Sequence, residues 1–283
     1  SETTYQEFYT YGGSNGAAPQ QLPLLGAQLG SRLTLSNGAT PDPKTVVDPD
    51  IKPMHQDELI LGFQKALSNN WSMGVKYTHR KLRDAMDDVC EGEATERWAL
   101  ANGYTAAQAA AINDAIAHCF LYNAGRDLKA NVDLDGTGAL TTLTIPASAL
   151  GLPEAERLYD AVEVTFERAW DKKWSFQGSY VYARSRGNTE GYVKSDIGQD
   201  DAGISQDFDH PGLMEGAYGN LPNDRQHTIK MFGSYALNNE WRLGGSLIAR
   251  SGRPKNCFGY YNGTLDSTSI QYGSSSFYCN GVP

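Results

Sequence analysis

Residues 67–80 read LSNNWSMGVKYTHR. A large apolar residue, three polar residues and a Trp are followed by strict alternation: Trp71, Met73, Val75 and Tyr77 against Ser72, Gly74, Lys76 and Thr78. The same corner returns as WDKKW at 170–174 and LNNEW at 237–241. The arms before the corners alternate too, with Leu59, Leu61 and Phe63 against Glu58, Gly62 and Gln64, and Val162, Val164 and Phe166 against Glu163, Thr165 and Glu167. After the second corner Trp174, Phe176, Gly178, Tyr180 and Tyr182 continue the pattern. Successive strand side chains point to opposite faces, so each arm is a strand with one apolar and one polar face. Three-residue connections make them antiparallel hairpins, at 57–85, 157–186 and 225–252.

The connections at the other end are long: about 12–56, 86–156, 187–224 and 253–283. Compact soluble domains seldom hold structureless loops beyond about 15 residues. Short turns at one end and long loops at the other are the plan of an outer-membrane barrel, with its turns periplasmic and its loops extracellular. The Trp at each corner, Trp71, Trp174 and Trp241, with Trp170 facing them, suits an aromatic girdle at the bilayer interface. From Trp71 to Tyr77 the apolar face runs about 20 Å at roughly 3.3 Å per residue, close to the roughly 25 Å apolar band of a barrel. A core aromatic of a soluble sandwich is the competing reading. The pattern therefore predicts an all-β chain, an antiparallel transmembrane β-barrel segment of about seven strands, one near 3–10 and six in the hairpins. With 1–283 as one partial barrel domain, the odd strand count points to a piece of a larger barrel.

Composition is consistent with this. The chain of 283 residues carries a net charge of −9 without a basic run, which argues against nucleic acid. No stretch reaches the roughly 20 apolar residues of a transmembrane helix, a limit that does not apply to strands. SETTYQEFYT lacks the charged and apolar regions of a signal peptide. The four cysteines allow three connectivities, and local pairing, Cys90–Cys119 and Cys257–Cys279, is the simplest. Both pairs fall in long loops, on the oxidising side. Within 86–156, ATERWALANG reads as a short helix stopped by Gly103. TAAQAAAINDAIAHC reads as an Ala-rich helix behind a Thr105/Gln108 capping box. The two make a small helical cap.

Candidate sites lie in the loops. Asn131, Asp133 and Asp135 occupy positions 1, 3 and 5 of a calcium loop with Gly136 at the sharp turn. Position 12 is Thr142 rather than Glu, which favours an Asx-rich turn instead. Asp196, Asp200, Asp201, Asp207 and Asp209 could hold Ca²⁺ or a cationic ligand, or simply sit in a solvated loop. Asp224 and Arg225 suggest a local ion pair at a strand start. The histidines form no zinc spacing and no nucleophile elbow is present, so the residues give no support for an enzyme. Apart from the calcium loop, no cofactor is indicated.

Longer stretches carry a resemblance: VDPDIKPMHQDELILGF (47–63), GNTEGYVKSDIGQDDAGISQDFDHPGLMEGAYGNLPNDRQHTIKMFGSYAL (187–237) and EWRLGGSLIARSGRPKNCFGYYNG (240–263). These resemble the C-terminal barrel of TonB-dependent outer-membrane receptors, Oar-like branch, over most of 45–283. The resemblance implies a 22-stranded barrel, an internal plug, energy coupling through a TonB box, and a ligand captured by extracellular loops. It also implies lipid or lipopolysaccharide around the strands and TonB as a partner, reached through parts of the full-length protein outside this chain. A passive porin and a surface adhesion or secretion-support barrel are the competing functions.

Overall fold

The computed structural model describes residues 3–15, 22–37, 42–199 and 205–283. The chain forms two compact units, Ser1–Pro43 and Lys44–Pro283.

The first unit is an antiparallel hairpin of β1 (Thr3–Asn15) and β2 (Leu22–Asn37). Here the structure departs from the sequence expectation, which placed a loop from about residue 12. The alternation was present, with Leu25, Ala27, Leu29, Leu33 and Leu35 against Gln28, Arg32 and Thr34, but Gly26 and Gly30 interrupt it. Glycine weakens the strand signal without forbidding the strand.

The second unit contains β3 (His55–Ala66), β4 (Trp71–Arg83), β5 (Met86–Val89), α1 (Gly92–Ala101), α2 (Ala106–Ala117), β6 (Phe120–Asn123), β7 (Leu128–Asp133), β8 (Leu140–Ile145) and α3 (Ala147–Leu150). There follow β9 (Arg157–Arg168), β10 (Trp174–Gly187), α4 (Pro211–Met214), β11 (Gly219–Asn220), β12 (His227–Ala236) and β13 (Arg242–Arg250). Six long strands pair in the order β3-β4-β9-β10-β12-β13, every neighbour antiparallel, with the short β11 beside β10. This is an up-and-down meander, and it is open, its path ending at β3 and β13.

Register aligns the alternation across all six strands. Phe63, Val75, Val164, Tyr180, Ile229 and Ala249 stand in one row. One residue along, Lys76, Glu163, Val181, Thr228 and Arg250 form a row on the opposite face, where Lys76 and Glu163 pair at 2.6 Å. The apolar face is uncovered, with Phe63 65% exposed and Leu247 56%. Water would not tolerate so continuous an apolar sheet face, whereas hydrocarbon would.

The corners are built alike. Leu67 N–H donates to the Trp71 carbonyl at 2.8 Å, and Leu237 N–H to that of Trp241 at 2.9 Å. The Asn238 side-chain oxygen accepts from Glu240 and Trp241 N–H, at 2.9 and 2.8 Å, and Asp171 does the same for Lys173 and Trp174 at 3.0 and 3.1 Å. An Asx side chain thus replaces backbone partners in a very short turn. The four indoles gather at this end: Trp71 and Trp174 meet edge to face at 5.8 Å, with the Arg168 guanidinium 3.9 Å over Trp174 and that of Arg242 4.9 Å over Trp170. Trp241 is 66% exposed.

Candidate extracellular binding cap

The close-packed core of this unit lies outside the barrel wall, in the long connection between β4 and β9. Ile112 and Ile116 of α2, Phe120 and Tyr122 of β6, Leu128 of β7 and Ile145 of β8 are fully buried. The sequence explains each element. Thr105 and Gln108 form a reciprocal capping box at the start of α2, as their spacing indicates. The Glu91 side chain accepts from Ala94 N–H at 2.9 Å and caps α1, and Gly103 ends that helix region at φ +85°. Gly125, at φ +81°, must be glycine for a second reason, since a Cβ would lie 2.2 Å from Glu154 Cα. Cys90–Cys119 closes the helical pair and Cys257–Cys279 closes a loop after β13. Both pairs match the local connectivity expected from their spacing.

Two further loops complete the cap. Asp87 accepts from Ser205 N–H and Oγ, at 2.7 and 2.8 Å. Glu91 accepts from His210 Nδ1 at 2.8 Å, with both side chains buried. Cys90 N–H reaches the Asp209 carbonyl at 3.0 Å, and Tyr272 donates to the Asp209 carboxylate at 2.6 Å. Gly212 N–H donates to Asp266 at 2.6 Å and Ser267 to Glu93 at 3.0 Å. Residues 86–156, 205–214 and 261–278 are therefore one polar-seamed body. Burial pushes the Asp87 carboxyl up to about 9 and that of Asp209 up to about 7, both above the usual carboxylate range. Burial also raises Asp207, opposed by its ion pair with Lys194.

The predicted acidic cluster is distributed rather than gathered. Asp196 is exposed and accepts from Asn256, whereas Asp207 and Asp209 are buried in the seams. Asp200 and Asp201 lie outside the described residues. Asp224 and Arg225 do not pair as expected: Asp224 accepts from Ser185 N–H at 2.8 Å, and Arg225 donates to the Ser251 carbonyl at 2.8 Å. The backbone near the C-terminal end of β10 and just after β13 offers each a fixed partner, which a neighbouring side chain does not. In the β7–β8 hairpin, Asp133 accepts from Gly136 and Gly138 N–H at 2.9 and 2.7 Å, and Asp135 from Thr137. Asn131 sits directly across from Thr142, whose hydroxyl it accepts at 2.7 Å. Position 12 of the supposed loop is thus a cross-strand neighbour, and these oxygens are engaged in the turn.

The residues that knit the seams, Lys194, Glu91, His210, Tyr272 and Asp266, were not singled out from sequence. Beside the Lys194–Asp207 pair opens a cleft of about 110 Å³, lined among others by Glu190, Asp196, Asn220, Asn256 and Phe277. Phe277 and Phe258 flank the ammonium, 5.0 and 5.6 Å from it. The cleft is polar with an aromatic wall, and Tyr218, Tyr260 and Ile270 are exposed elsewhere among the loops.

A wall of alternating strands, an aromatic turn end and a cap at the loop end call for comparison with known barrels. The family profile of the outer membrane beta barrel domain matches residues 2–268. The chain belongs to that family. It resides in the bacterial outer membrane, with its turns periplasmic and its loops extracellular. It is also 29% identical, over 230 residues, to the TonB-dependent transporter Oar of Myxococcus xanthus. That alignment covers 80% of this chain and 18% of the relative, so the chain spans under a fifth of that protein's length.

Proposed function

We propose that the chain is the barrel-and-cap portion of a receptor that captures an extracellular ligand on the cap. The full-length protein then imports it with energy delivered by TonB. The observation that carries the reading is the division of labour in one chain. Six strands present their apolar face outward, while residues 86–156, 205–214 and 261–278 form a disulfide-closed, independently cored body at the loop end. A simple pore needs no such body. Similarity to the Oar transporter supports the transport half. Catalysis finds no support in the cap, whose buried Glu91–His210 pair is occupied in joining α1 to the loop before α4.

Two measurements on the full-length protein test this. Purified protein should bind the periplasmic domain of TonB, and in planar bilayers it should show almost no steady potassium conductance, its lumen being blocked at rest. A large, constant conductance without TonB binding would mean a passive porin. Absence of both would leave adhesion or secretion support as the role and overturn import.

A further inference from the structure

We propose that Lys194 and Asp207 become joined by a side-chain amide that the folded cap forms by itself, Nζ of the one bonding to Cγ of the other with loss of water. The pair is built as a reaction site rather than as a surface salt bridge. Lys194 is 3% exposed and Asp207 5%, and they meet as an ion pair although 13 residues apart in the chain. Among the described residues Asp207 is the only hydrogen-bond partner of the Lys194 ammonium, whose other neighbours are the rings of Phe277 and Phe258. Those rings are fixed in turn. Phe258 follows Cys257 and Phe277 lies two residues before Cys279, and the disulfide and a Gly259–Ser276 backbone bridge at 3.0 and 3.2 Å tie the two segments. Gln199 holds the reacting residues in place. Its backbone exchanges hydrogen bonds with Lys194 at 3.0 and 3.1 Å, and its side-chain oxygen accepts from Gln206 N–H, next to Asp207, at 3.1 Å. A nucleophile and an electrophile already fixed in contact have no encounter left to make.

Desolvation supplies the reactivity. An ammonium is not a nucleophile and a carboxylate is a poor electrophile, but where water is excluded a neutral amine and a neutral acid avoid two buried charges. Burial is the largest influence on the Asp207 carboxyl and raises it; the charge of Asp196 adds to this, while Lys194 and Ser205 oppose it. One proton passes from Nζ to an Asp207 oxygen. The amine lone pair then attacks Cγ, the Nζ–Cγ bond forms, and the carbonyl π pair moves onto its oxygen. A second proton leaves nitrogen for the hydroxyl, the Cγ–O bond breaks with its electron pair departing on water, and the carbonyl re-forms. Ammonium and carboxylate have become one amide and one water, with no oxidant, reductant or activating group consumed. Asp196 lines the same cleft as both partners and is the carboxylate that carries the second proton; the cleft is also the way out for the water. The amide is a third covalent closure of the cap, and unlike the two disulfides it survives reduction.

The inference rests on the packing of the cap and not on import, so TonB binding and conductance do not bear on it. Full-length protein extracted from outer membranes is unfolded, reduced, alkylated and digested with trypsin. Arg186, Lys194 and Arg225 are successive basic residues, so an unjoined chain yields 187–194 and 195–225 as separate peptides. The joined chain should yield 187–225 uncut at Lys194, because trypsin does not cleave after an acylated lysine, and lighter by one water. Asp-N endoproteinase, cutting between the two residues, should then leave the pieces attached. Lys194→Arg keeps the positive charge but has no reactive amine, and should restore both the full mass and cleavage at 194. Chains synthesised as inclusion bodies and kept in denaturant should be cleaved at Lys194 and should become resistant only on refolding. Complete cleavage at Lys194 in the native protein, with no mass lost, overturns the amide and leaves an ion pair. A missing water with Lys194 still cleaved overturns it as well, being a cyclic imide of an aspartate. Joining in denaturant overturns the part assigned to the fold.

Discussion

The assignment of faces is most directly tested by placing a charge at Val164. Val164 lies in the central apolar row, and Arg168, four residues nearer the turn, pairs with Trp71. That is about 13 Å along the strand, or about 10 Å of height at a tilt of about 40°. Within an apolar band of about 25 Å this is close to the midplane, where a lipid-facing Arg costs about 2–4 kcal/mol. The neighbouring Thr165 faces the other way, on the side carrying Glu163 and Glu167. Arg at 165 would find carboxylates rather than hydrocarbon, and its cost should stay below about 1 kcal/mol. Val164→Arg and Thr165→Arg are compared in the full-length protein refolded into lipid vesicles, with guanidinium titration followed by electrophoretic mobility. The difference between the two is the diagnostic quantity, since both add the same side chain to the same strand. Equal costs, or a larger one at 165, would show that the exposed apolar row does not face lipid.

Other expectations concern the cap. Asp87, with its carboxyl raised to about 9 from the usual carboxylate range, binds its proton more tightly folded than unfolded. Its contribution is therefore complete below about pH 4 and is lost as pH rises toward 9. Hydrogen exchange at 86–91 and 205–209, corrected for intrinsic rates, should accelerate between pH 6 and 9, and Asp87→Asn should flatten that dependence. An unchanged slope in the variant would refute burial as its origin. Lys194→Met leaves Asp207 buried without its cation and should cost about 3–5 kcal/mol. Lys194→Met/Asp207→Leu should recover much of this in a double-mutant cycle read by limited proteolysis, and a double variant no better than the single would show that the ion pair is not the issue. Cys90→Ser/Cys119→Ser opens a loop of 29 residues, worth about 3–4 kcal/mol in chain entropy. Protease cuts should then appear within 90–119 while the strands stay protected, and cuts in the strands first would refute an independently closed cap.

Sequence alone revealed the barrel wall because a strand pattern is local. Trp71, Met73, Val75 and Tyr77 advertise a face without reference to any other part of the chain, and the corner residues Asp171 and Asn238 carry their turn chemistry with them. The cap was only half legible. Its helices announce themselves through Thr105/Gln108 and Gly103, and cysteine spacing pointed to both disulfides. Its seams were not visible. Asp87 meets Ser205, and Glu91 meets His210, across 118 and 119 residues of chain, and nothing in the flanking sequence selects those partners. Asp207 and Asp209 consequently looked like solvent-facing ligands when they are buried acceptors. The β2 strand was missed for the opposite reason, since its signal was local but broken by glycine.

These two halves follow opposite burial rules, and that explains an otherwise discordant number. A mean hydropathy of −0.48 is that of a soluble protein, yet this chain spans a membrane. Along the strands only alternate residues must be apolar, and they are turned outward, so Leu61, Phe63 and Leu247 are more than half exposed. In the cap the order is reversed, with Ile112, Phe120 and Leu128 inside and charged residues outside or paired in the seams. Averaged over the chain, two amphipathic designs cancel into a polar total. The transition between them occurs on single strands: β4 passes from Val75 and Tyr77 to His79 and Lys81 on one face, while β10 passes from Tyr180 and Tyr182 to Arg184 and Arg186. That crossover marks the upper edge of the hydrocarbon on two strands independently, and β9, between them, repeats it at Val162 and Asp160. A barrel wall whose three adjacent strands change character at the same row is set to a defined depth.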